Sequence, residues 1–382
     1  MVPTCDGPKR TPRRSDRLPG ASRSRWYNRP EMTVEAPQLR TTVRARPRLS
    51  STGLLVLALD LGASRIRGGV IAPDGHLLAR DARPTPLADG PQAVLAACIA
   101  SVRAARDGLE PASRASIGAV GVSAPGPLDG ATGTLLEPPN LGPAFLDLPL
   151  AEPLSGALGL PVAVERDTNV AALAEGAFGA ARGIDDFLYL TVSSGIGGAV
   201  VAGGNLLRGT DGLAGELGHV SVDLDGPACG CGGRGHLEAI ASGLAIARAA
   251  QAPDASVVAA AELAGDPAAT AIMERARQAF AAALVGFVDV FAPRLNVIGG
   301  SLAAAQGERW LGPAREAIGR EAFRTVARRV RLVPAALGDD VGLIGALPLL
   351  ALRGLVPRPA QPIPHDRATG PERAKRLEVA PS

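Results

Sequence analysis

Short apolar runs separated by glycine-rich turns recur along the middle of the chain. A continuous apolar run over residues 54–61 predicts a buried β-strand, and residues 66–71 and 77–80 predict two more strands joined by the turn APDGH. The segments that follow alternate between predicted helix and predicted strand, at residues 91–106 (helix), 117–123 (strand), 162–165 (strand) and 169–181 (helix). Alternation of this kind is typical of an α/β protein.

The same pattern begins again in the second half of the chain. A strand at residues 187–192 runs into the glycine-rich sequence SSGIGG, and a second strand follows at residues 199–202. The remaining predicted elements are helices at 237–249, 267–291 and 342–352 and strands at 295–298 and 330–333. We therefore predict an internally duplicated α/β protein with an N-terminal lobe (54–166, joined by the final helix within 342–354), a C-terminal lobe (167–341) and a ligand site in the cleft between them.

The two ends of the chain differ from the middle in proline content and in charge. Residues 1–50 hold seven prolines and a net charge of +8, whereas the rest of the chain carries a net charge of −5. We predict disordered extensions at residues 1–53 and 355–382. The alternatives for the basic extension are contact with nucleic acid or a membrane, or a translation start at Met32.

Composition excludes several classes of protein. Hydrophobic residues make up 46% of the chain, which excludes general disorder, and aromatic residues make up only 3%, which argues against a base-stacking surface. The sequence contains neither an apolar run long enough to cross a bilayer nor an apolar segment typical of a secretory signal. Four cysteines are too few for a disulfide framework, so we expect a cytoplasmic protein.

Lysine is absent from the predicted folded region. The two lysines of the chain, Lys9 and Lys375, both lie in the predicted extensions. This argues against a P-loop lysine, a protein-kinase strand lysine and a pyridoxal-phosphate Schiff base. Phosphate chemistry in this chain would have to use backbone amides, hydroxyls, arginine and a metal ion.

The densest group of metal-binding residue types lies between residues 216 and 238. Cys229 and Cys231 are separated by one residue, His236 follows five residues later, and His219 precedes them by ten. Two thiolates and two imidazoles in a glycine-rich stretch match the ligand set of a closed, tetrahedral structural zinc site. Free thiols beside two unrelated histidines are the alternative.

Three glycine turns follow predicted strands and are candidates for phosphate binding. In DLGAS, Asp60 stands at a strand end where it could hold Mg²⁺ through water, although a solvated aspartate in a hairpin is the alternative. SSGIGG at residues 193–198 repeats this context in the second half, and VIGGS at residues 297–301 is a third such turn that could admit a nucleotide base or sugar.

Asp167 lies just past a predicted strand, in the sequence ERDTN. Aspartate is a favoured helix cap, and it is also a suitable general base for a sugar hydroxyl. The residues alone leave both roles open.

These motifs, taken together and in order, resemble the ROK family, which groups sugar kinases with sugar-responsive repressors. The resemblance covers about residues 54–352, and its most specific element is the pattern G-H…C-G-C-G-x-x-G-x-x-E. It implies a two-lobed, actin-like ATPase (ribonuclease H-like) fold with an interlobe cleft, and a homo-oligomer, dimer or tetramer.

The resemblance also implies roles for individual residues. The phosphate and nucleotide contacts would come from Asp60, Gly62, Ser64, Ser194, Gly195, Gly197, Gly198, Gly299 and Gly300. The sugar hydroxyls would be held by Asn140, Asp167, Glu216, His219 and Glu238. On this analogy His219 would serve both the zinc ion and the sugar.

The chain departs from the family pattern at several positions. His236 stands where the family usually has a third cysteine, and imidazole is a competent zinc ligand. Arg166 stands where the family usually has an asparagine that contacts the sugar, so the resemblance implies that Arg166 is also a substrate-binding residue. We expect it either to alter the substrate, favouring one that bears an anionic group, or to impair turnover. Smaller differences lie in the phosphate turns, at Ala63, Ser64, Ser193 and Ser194.

The resemblance implies an ATP-dependent hexose kinase, with glucose as the expected sugar, Asp167 as general base, and ATP, Mg²⁺ and a structural Zn²⁺ as cofactors. N-acetylmannosamine and fructose stay open as substrates. The alternatives are a sugar-responsive repressor, although no helix-turn-helix can be drawn before residue 54, and a sugar-binding protein that Arg166 has made catalytically impaired.

Overall fold

The computed structural model describes residues 54–210 and 212–359. The predicted extension at residues 1–53 lies outside the described residues, as does most of the second one, residues 355–382. Within the part of the chain that the structure describes, no helix combines the length and the apolar character needed to cross a membrane.

The strands of the described residues are named in chain order. They are β1 (Leu55–Leu61), β2 (Arg65–Ile71), β3 (Leu77–Pro84), β4 (Ile117–Ala124), β5 (Leu128–Asp129), β6 (Thr134–Leu135), β7 (Leu148–Pro149), β8 (Val162–Arg166), β9 (Phe187–Val192), β10 (Ile196–Ala202), β11 (Asn205–Leu206), β12 (Leu295–Gly299) and β13 (Arg331–Pro334).

The α-helices are named in the same way. They are α1 (Pro91–Asp107), α2 (Pro111–Arg114), α3 (Ala151–Leu158), α4 (Asp167–Phe178), α5 (Leu237–Ala241), α6 (Gly243–Ala249), α7 (Ala255–Leu263), α8 (Pro267–Phe291), α9 (Ser301–Gln306), α10 (Glu308–Glu321), α11 (Arg324–Ala327), α12 (Val341–Ile344) and α13 (Ala346–Leu352).

The two main sheets have the same topology. The first has the strand order β3-β2-β1-β4-β8, in which β1 and β3 run antiparallel to β2, while β4 runs parallel to both β1 and β8. The second has the order β11-β10-β9-β12-β13, with the same sequence of antiparallel and parallel pairs. A third, smaller sheet contains β5, β6 and β7. The predicted duplication is therefore present in the strand order itself, and the predicted α/β class is confirmed.

The burial of β1 explains why its sequence is a continuous apolar run. Its odd-numbered leucines pack on one face with residues of α1, and Val56 and Ala58 pack on the other face with residues of α12 and α13. A strand covered on both faces needs apolar side chains at every position rather than at alternate ones. The final helix therefore packs on the first sheet. The lobe boundaries stay a prediction, since α4 contacts strands of both sheets.

Two predicted helices are each interrupted in the structure. The helix predicted at residues 237–249 is the pair α5 and α6, which separate at Ser242, whose hydroxyl accepts the Ala245 amide at 3.1 Å and caps α6. The helix predicted at residues 342–352 is the pair α12 and α13. Pro348 has no amide hydrogen for the carbonyl of Ile344, so a continuous helix would lack that hydrogen bond.

Several helices were not predicted from the periodicity, among them α3, α7 and α10. In α10, Gly312 and Pro313 disfavour a helix, but Trp310, Leu311 and Ala314 are buried in the core of the second half. The Trp310 ring packs against Phe280 of α8, with ring centroids 5.5 Å apart. Tertiary packing thus overrides local propensity there.

Candidate active site

The carboxyl ends of β1, β4 and β8 place polar residues at one edge of the first sheet. Asp60 lies near the end of β1, Ser123 near the end of β4, and Asp167 directly after β8. Parallel neighbouring strands end at the same edge, which is where α/β proteins commonly bind ligands. The edge therefore joins parts of the chain more than 100 residues apart in sequence.

Asp60 is buried and has both carboxylate oxygens in hydrogen bonds. Its Oδ2 accepts from Nε of Arg67 at 3.0 Å and from Nη2 of Arg67 at 2.5 Å, and its Oδ1 accepts from the Ser123 hydroxyl at 2.7 Å. Arg67 also donates to the backbone carbonyl of Asp339. A metal ion bound directly to Asp60 would displace one of these donors, whereas contact through a water molecule would not.

Asp167 is the first residue of α4, and the preceding Arg166 occupies the N-cap position without making a side-chain cap hydrogen bond. The Asp167 carboxylate accepts the amide of Thr168 through Oδ1 at 2.7 Å. Asp167 is exposed, whereas its neighbours Arg166 and Thr168 are buried. Asp167 is therefore open to a ligand from one side.

The environment of Asp167 raises the pKa of its carboxyl group to about 6. The main cause is desolvation, and the negative charges of Asp60 and Glu216 add to it, while the Thr168 amide and Arg166 act in the opposite direction. A carboxylate with a pKa near 6 is ionised at neutral pH and is a better proton acceptor than an ordinary aspartate.

Arg166 is buried and faces the segment that carries Glu216. Its Nη1 donates to Oε1 of Glu216, and its Nη2 donates to the carbonyl of Ala214 at 2.5 Å. The Glu216 side chain is 47% exposed, in contrast to 4% for Arg166. Glu216 thus has one oxygen held by Arg166 and retains surface for another partner.

The first glycine turn is a tight hairpin closed by backbone hydrogen bonds. The Gly62 amide donates to the Arg65 carbonyl at 3.0 Å, and the Thr85 hydroxyl donates to the Gly62 carbonyl at 2.7 Å. Ser64 also takes part, since its carbonyl accepts the Thr85 amide at 3.2 Å. The hairpin is therefore fixed by Thr85, which follows β3, as well as by its own strands.

The second and third glycine turns meet through two hydroxyl groups. The Oγ atoms of Ser193 and Ser301 are 2.8 Å apart. Gly300 has φ +93°, and a side chain there would strike the backbone of Val192. The structure therefore brings the predicted nucleotide turns 193–198 and 297–301 together.

Some glycines of the second turn serve close packing. A Cβ atom on Gly197 would lie 2.6 Å from Cγ2 of Thr168, at the start of α4, and one on Gly198 would lie 2.6 Å from Cδ1 of Leu217. A side chain at Gly195 would meet the Glu238 carboxylate at 2.7 Å. These glycines allow the Asp167 helix and the Glu216–Glu238 region to approach β10.

The remaining predicted sugar ligands differ in how closely they are tied to the site. Glu238, in α5, accepts the Ile196 amide through Oε2 at 2.8 Å. Asn140 is exposed in a turn, and no hydrogen bond or ion pair among the described residues links its side chain to the other predicted ligands.

The four predicted zinc ligands come together. One ligand atom from each of His219, Cys229, Cys231 and His236 lies within 4.8 Å of all the others. The Cys229 sulfur is 3.6 Å from Nδ1 of His219, and the Cys231 sulfur is 3.2 Å from Nδ1 of His236. Metal–ligand bonds of about 2.0–2.3 Å in a tetrahedron place ligand atoms at similar separations. Both the donor set and its dimensions fit a zinc ion.

Backbone hydrogen bonds explain how the cluster forms. The Cys229 amide donates to the Gly233 carbonyl at 2.8 Å, which closes a tight turn around Cys231, and the Leu237 amide donates to the Val220 carbonyl at 3.0 Å. The second bond aligns the segment after His219 with the start of α5. The segment of His219 and the segment of the other three ligands are thus joined at the cluster.

The family model described as "ROK family" matches residues 56–352. The chain belongs to the ROK family. Two curated proteins with similar sequences are sugar kinases. A glucokinase from Thermotoga maritima is 33% identical over 319 residues, covering 78% of this chain and 98% of that protein. An N-acetylmannosamine kinase from Shigella boydii serotype 18 is 35% identical over 301 residues, covering 77% of this chain and 97% of that protein.

A solved structure similar to this ROK protein is that of a ROK family glucokinase from Streptomyces griseus, in complex with glucose and AMPPNP. The TM-score is 0.66 at 31% identity, with 76% of this chain and 97% of that chain covered. The likeness confirms the predicted two-lobed, actin-like ATPase fold.

Several polar residues of the site were not predicted from the sequence. The guanidinium group of Arg67 pairs with Asp60, and the buried Glu165 pairs with Arg208, 43 residues away. Arg67 is only seven residues from Asp60, and the pairing could have been found from the register of the β1–β2 hairpin. No local signal in the sequence points to the pairing of Glu165 with Arg208.

Proposed function

We propose that this ROK protein catalyses the ATP-dependent phosphorylation of a hexose, with glucose as the first candidate and Asp167 as the general base. The observation that carries the proposal is the Asp167 carboxylate, which is open to a ligand and has its pKa raised to about 6. The next residue, Thr168, packs against Gly197 of the glycine-rich sequence SSGIGG. The kinase relatives support the reaction class.

In this proposal Asp167 accepts the proton of the reacting sugar hydroxyl. The sugar oxygen forms a bond to the γ-phosphorus of ATP, the bond between that phosphorus and the bridging oxygen breaks, and ADP leaves. Phosphoryl transfer depends mainly on positioning and electrostatic stabilisation, so the absence of lysine between residues 54 and 354 is compatible with it.

The sugar is proposed to lie against the carboxylates of Glu216 and Glu238 and the imidazole of His219. Carboxylates accept hydrogen bonds from sugar hydroxyls, and each of these two already has one oxygen in a hydrogen bond that fixes its position. His219 turns Nδ1 toward Cys229, which leaves Nε2 for the sugar. Asn140 completes the proposed sugar-binding residues, and Arg166 holds the Glu216 carboxylate from behind.

The glycine turns at residues 62–65, 193–198 and 297–301 are proposed to bind the nucleotide through backbone amides and hydroxyls. Mg²⁺ bound with ATP would offset negative charge on the phosphates. Asp60 is the residue proposed to hold that ion, through water, because Arg67 and Ser123 occupy its carboxylate oxygens.

A structural zinc ion is proposed at His219, Cys229, Cys231 and His236. When bound, it would fix the segment of Glu216 relative to α5, where Glu238 lies. Zinc would therefore contribute to sugar binding by ordering protein ligands and would take no part in phosphoryl transfer.

The experiment that tests the proposed function is a coupled assay of ADP release over a panel of glucose, mannose, fructose and N-acetylmannosamine. We expect ADP release that depends on both sugar and Mg²⁺ and is fastest with glucose. Sugar binding without ADP release on any sugar would instead identify the catalytically impaired alternative. Operator binding that responds to sugar in a gel-shift assay, without ADP release, would identify a repressor.

The raised pKa of Asp167 predicts the pH dependence of the reaction. The base acts only when ionised, so kcat/KM for the sugar should fall about tenfold for each pH unit below about 6 and be flat between pH 7 and 8. Enzyme kept at each pH and then assayed at pH 8 provides the control for acid inactivation. A limb near pH 4 would contradict the raised pKa of Asp167, and a profile with no acid limb would contradict its role as general base.

A further inference from the structure

The segment between β11 and Glu216 has little apolar packing of its own. Every described side chain from residue 207 to residue 216 is exposed or half-buried, whereas the flanking Leu206 and Leu217 are buried. Its described residues on either side of position 211 are joined by a hydrogen bond, in which the Ala214 amide donates to the Arg208 carbonyl at 2.9 Å. Polar contacts must therefore hold this stretch, which we call the 208–216 segment, against the rest of the protein.

Two consecutive residues of β8 hold the two ends of the 208–216 segment. Glu165 accepts Nε of Arg208 at 3.0 Å and is paired with Nη2 of Arg208 at 2.9 Å. Arg166 donates to the carboxylate of Glu216 and to the carbonyl of Ala214. Glu165 of β8 thus pairs with an arginine at one end of the segment, and Arg166 of β8 pairs with a glutamate at the other end.

Asn169, one turn into α4, connects the two ion pairs. Its amide group donates to Oε1 of Glu165 at 3.0 Å, and its Oδ1 lies 3.5 Å from Nη2 of Arg166. Arg353, which follows α13, approaches Glu165 at 3.5 Å. The Glu165 and Arg166 side chains are each only 4% exposed. Only the β8 side of each ion pair is buried, and loss of the partner on the segment would leave that buried charge less compensated, so these contacts favour the observed position of the segment.

The groups packed around the Arg166 side chain limit how it can act on a substrate. Its side chain passes between two glycines, because a Cβ on Gly126 would lie 2.8 Å from its Cδ and one on Gly215 would lie 3.4 Å from its Nη2. Its charge is already opposed by Glu216. Only Nε lacks a protein partner among the described residues, and it is buried. Arg166 therefore has little free surface with which to attract an anionic group.

We propose that Glu165 and Arg166 form a clasp that holds both ends of the 208–216 segment, and that Arg166 is a positioning residue that fixes Glu216 for an uncharged sugar. The role toward sugar rests on the proposed function, whereas the clasp does not. On this proposal, the arginine that replaces the family's usual asparagine at position 166 serves to hold the neighbouring Glu216 carboxylate in place.

The clasp is tested first by hydrogen–deuterium exchange of the full chain without ligand. We expect Arg166→Gln and Arg208→Gln each to speed exchange at least about tenfold in peptides covering residues 207–219, including the Ala214 amide. The control is Arg182→Gln, because Arg182 is exposed and makes no ion pair among the described residues. Unchanged exchange in both clasp variants would overturn the clasp. If Arg166→Gln fails to fold, Arg208→Gln still tests the clasp, since Arg208 is only half-buried.

The positioning role is tested by a double-mutant cycle on D-glucose affinity, measured by calorimetry. We expect Arg166→Gln and Glu216→Gln each to weaken binding about tenfold, and the double variant to be no more than about threefold weaker than either one. Arg166→Lys keeps the positive charge but lacks the planar group whose two terminal nitrogens bind Glu216 and Ala214 separately, so it should recover part of the loss. Additive losses, near a hundredfold in the double variant, would mean that Arg166 acts on the sugar independently.

The last test of the positioning role uses an anionic sugar. D-glucuronate should bind the wild-type protein more weakly than D-glucose, and tighter binding of glucuronate would overturn the assignment of an uncharged substrate. If the wild-type protein binds none of the sugars in the panel, the proposed function fails together with the positioning role, while the exchange experiment still determines whether the clasp exists.

Discussion

Asp167→Asn is expected to fold, to bind sugar, and to lose at least about a hundredfold in kcat, which is the scale of a missing general base. Asparagine has nearly the same shape as aspartate, and its side-chain oxygen can still accept the Thr168 amide, which is 2.7 Å from Oδ1 in the structure. The amide cannot take up the proton of the sugar hydroxyl. The loss should therefore appear in kcat, whereas calorimetric glucose affinity should change by less than about threefold.

The stability of the same variant distinguishes this role from helix capping. Because desolvation raises the pKa of Asp167 to about 6 from an ordinary value near 3.8, the ionised group destabilises the folded state, and that penalty is fully present above about pH 6. Replacing it by a neutral amide should leave Tm at pH 8 equal to or above that of the wild type. A clear drop in Tm with near-normal kcat would show that Asp167 is mainly a capping residue.

A matched control is Asp339→Asn, which changes an aspartate whose described contact with the site runs through its backbone carbonyl to Arg67. This variant should keep kcat within about twofold. Equal losses in the two variants would point to a general effect of removing negative charge and would contradict a specific role for Asp167.

The parts of the site that could be predicted from the sequence are those formed by residues close together along the chain. The four metal-binding residues lie within 18 positions of one another, and the turn around Cys231 and the hydrogen bond from Leu237 to Val220 bring them together. The duplicated hairpins were also visible, because each places apolar runs on both sides of a glycine turn.

The parts that were missed depend on contacts between distant segments. Glu165 and Arg208 are 43 residues apart, and nothing near either residue indicates the pairing. The break between α12 and α13 was missed for a different reason, since Pro348 is a local signal that the apolar run at residues 342–352 hid. Patterns in the sequence report local conformation and burial, whereas ion pairs of this kind arise only from the tertiary arrangement.

Zinc removal is the second prediction with a large expected effect. Protein purified without added metal should contain about one equivalent of zinc per chain, and Cys231→Ser should reduce that content at least about tenfold. Cys231 is exposed, so the substitution itself should cost little packing. Cys98→Ala is the control, because Cys98 is buried in the first half of the protein, away from the cluster, and the variant should keep its zinc.

Removing the ion should also lower stability and sugar affinity together, because the binding free energy of a structural zinc is folding free energy of the segment that it orders. Chelation of the wild-type protein should lower Tm and weaken glucose binding at least about tenfold, since Glu216, His219 and Glu238 would no longer be held in place. Added zinc should restore both in the wild type but not in Cys231→Ser. Zinc content and functional effect are measured separately. Metal-free protein with unchanged Tm and full sugar affinity would contradict a structural zinc. That conclusion would hold even if the four side chains bind zinc when it is supplied.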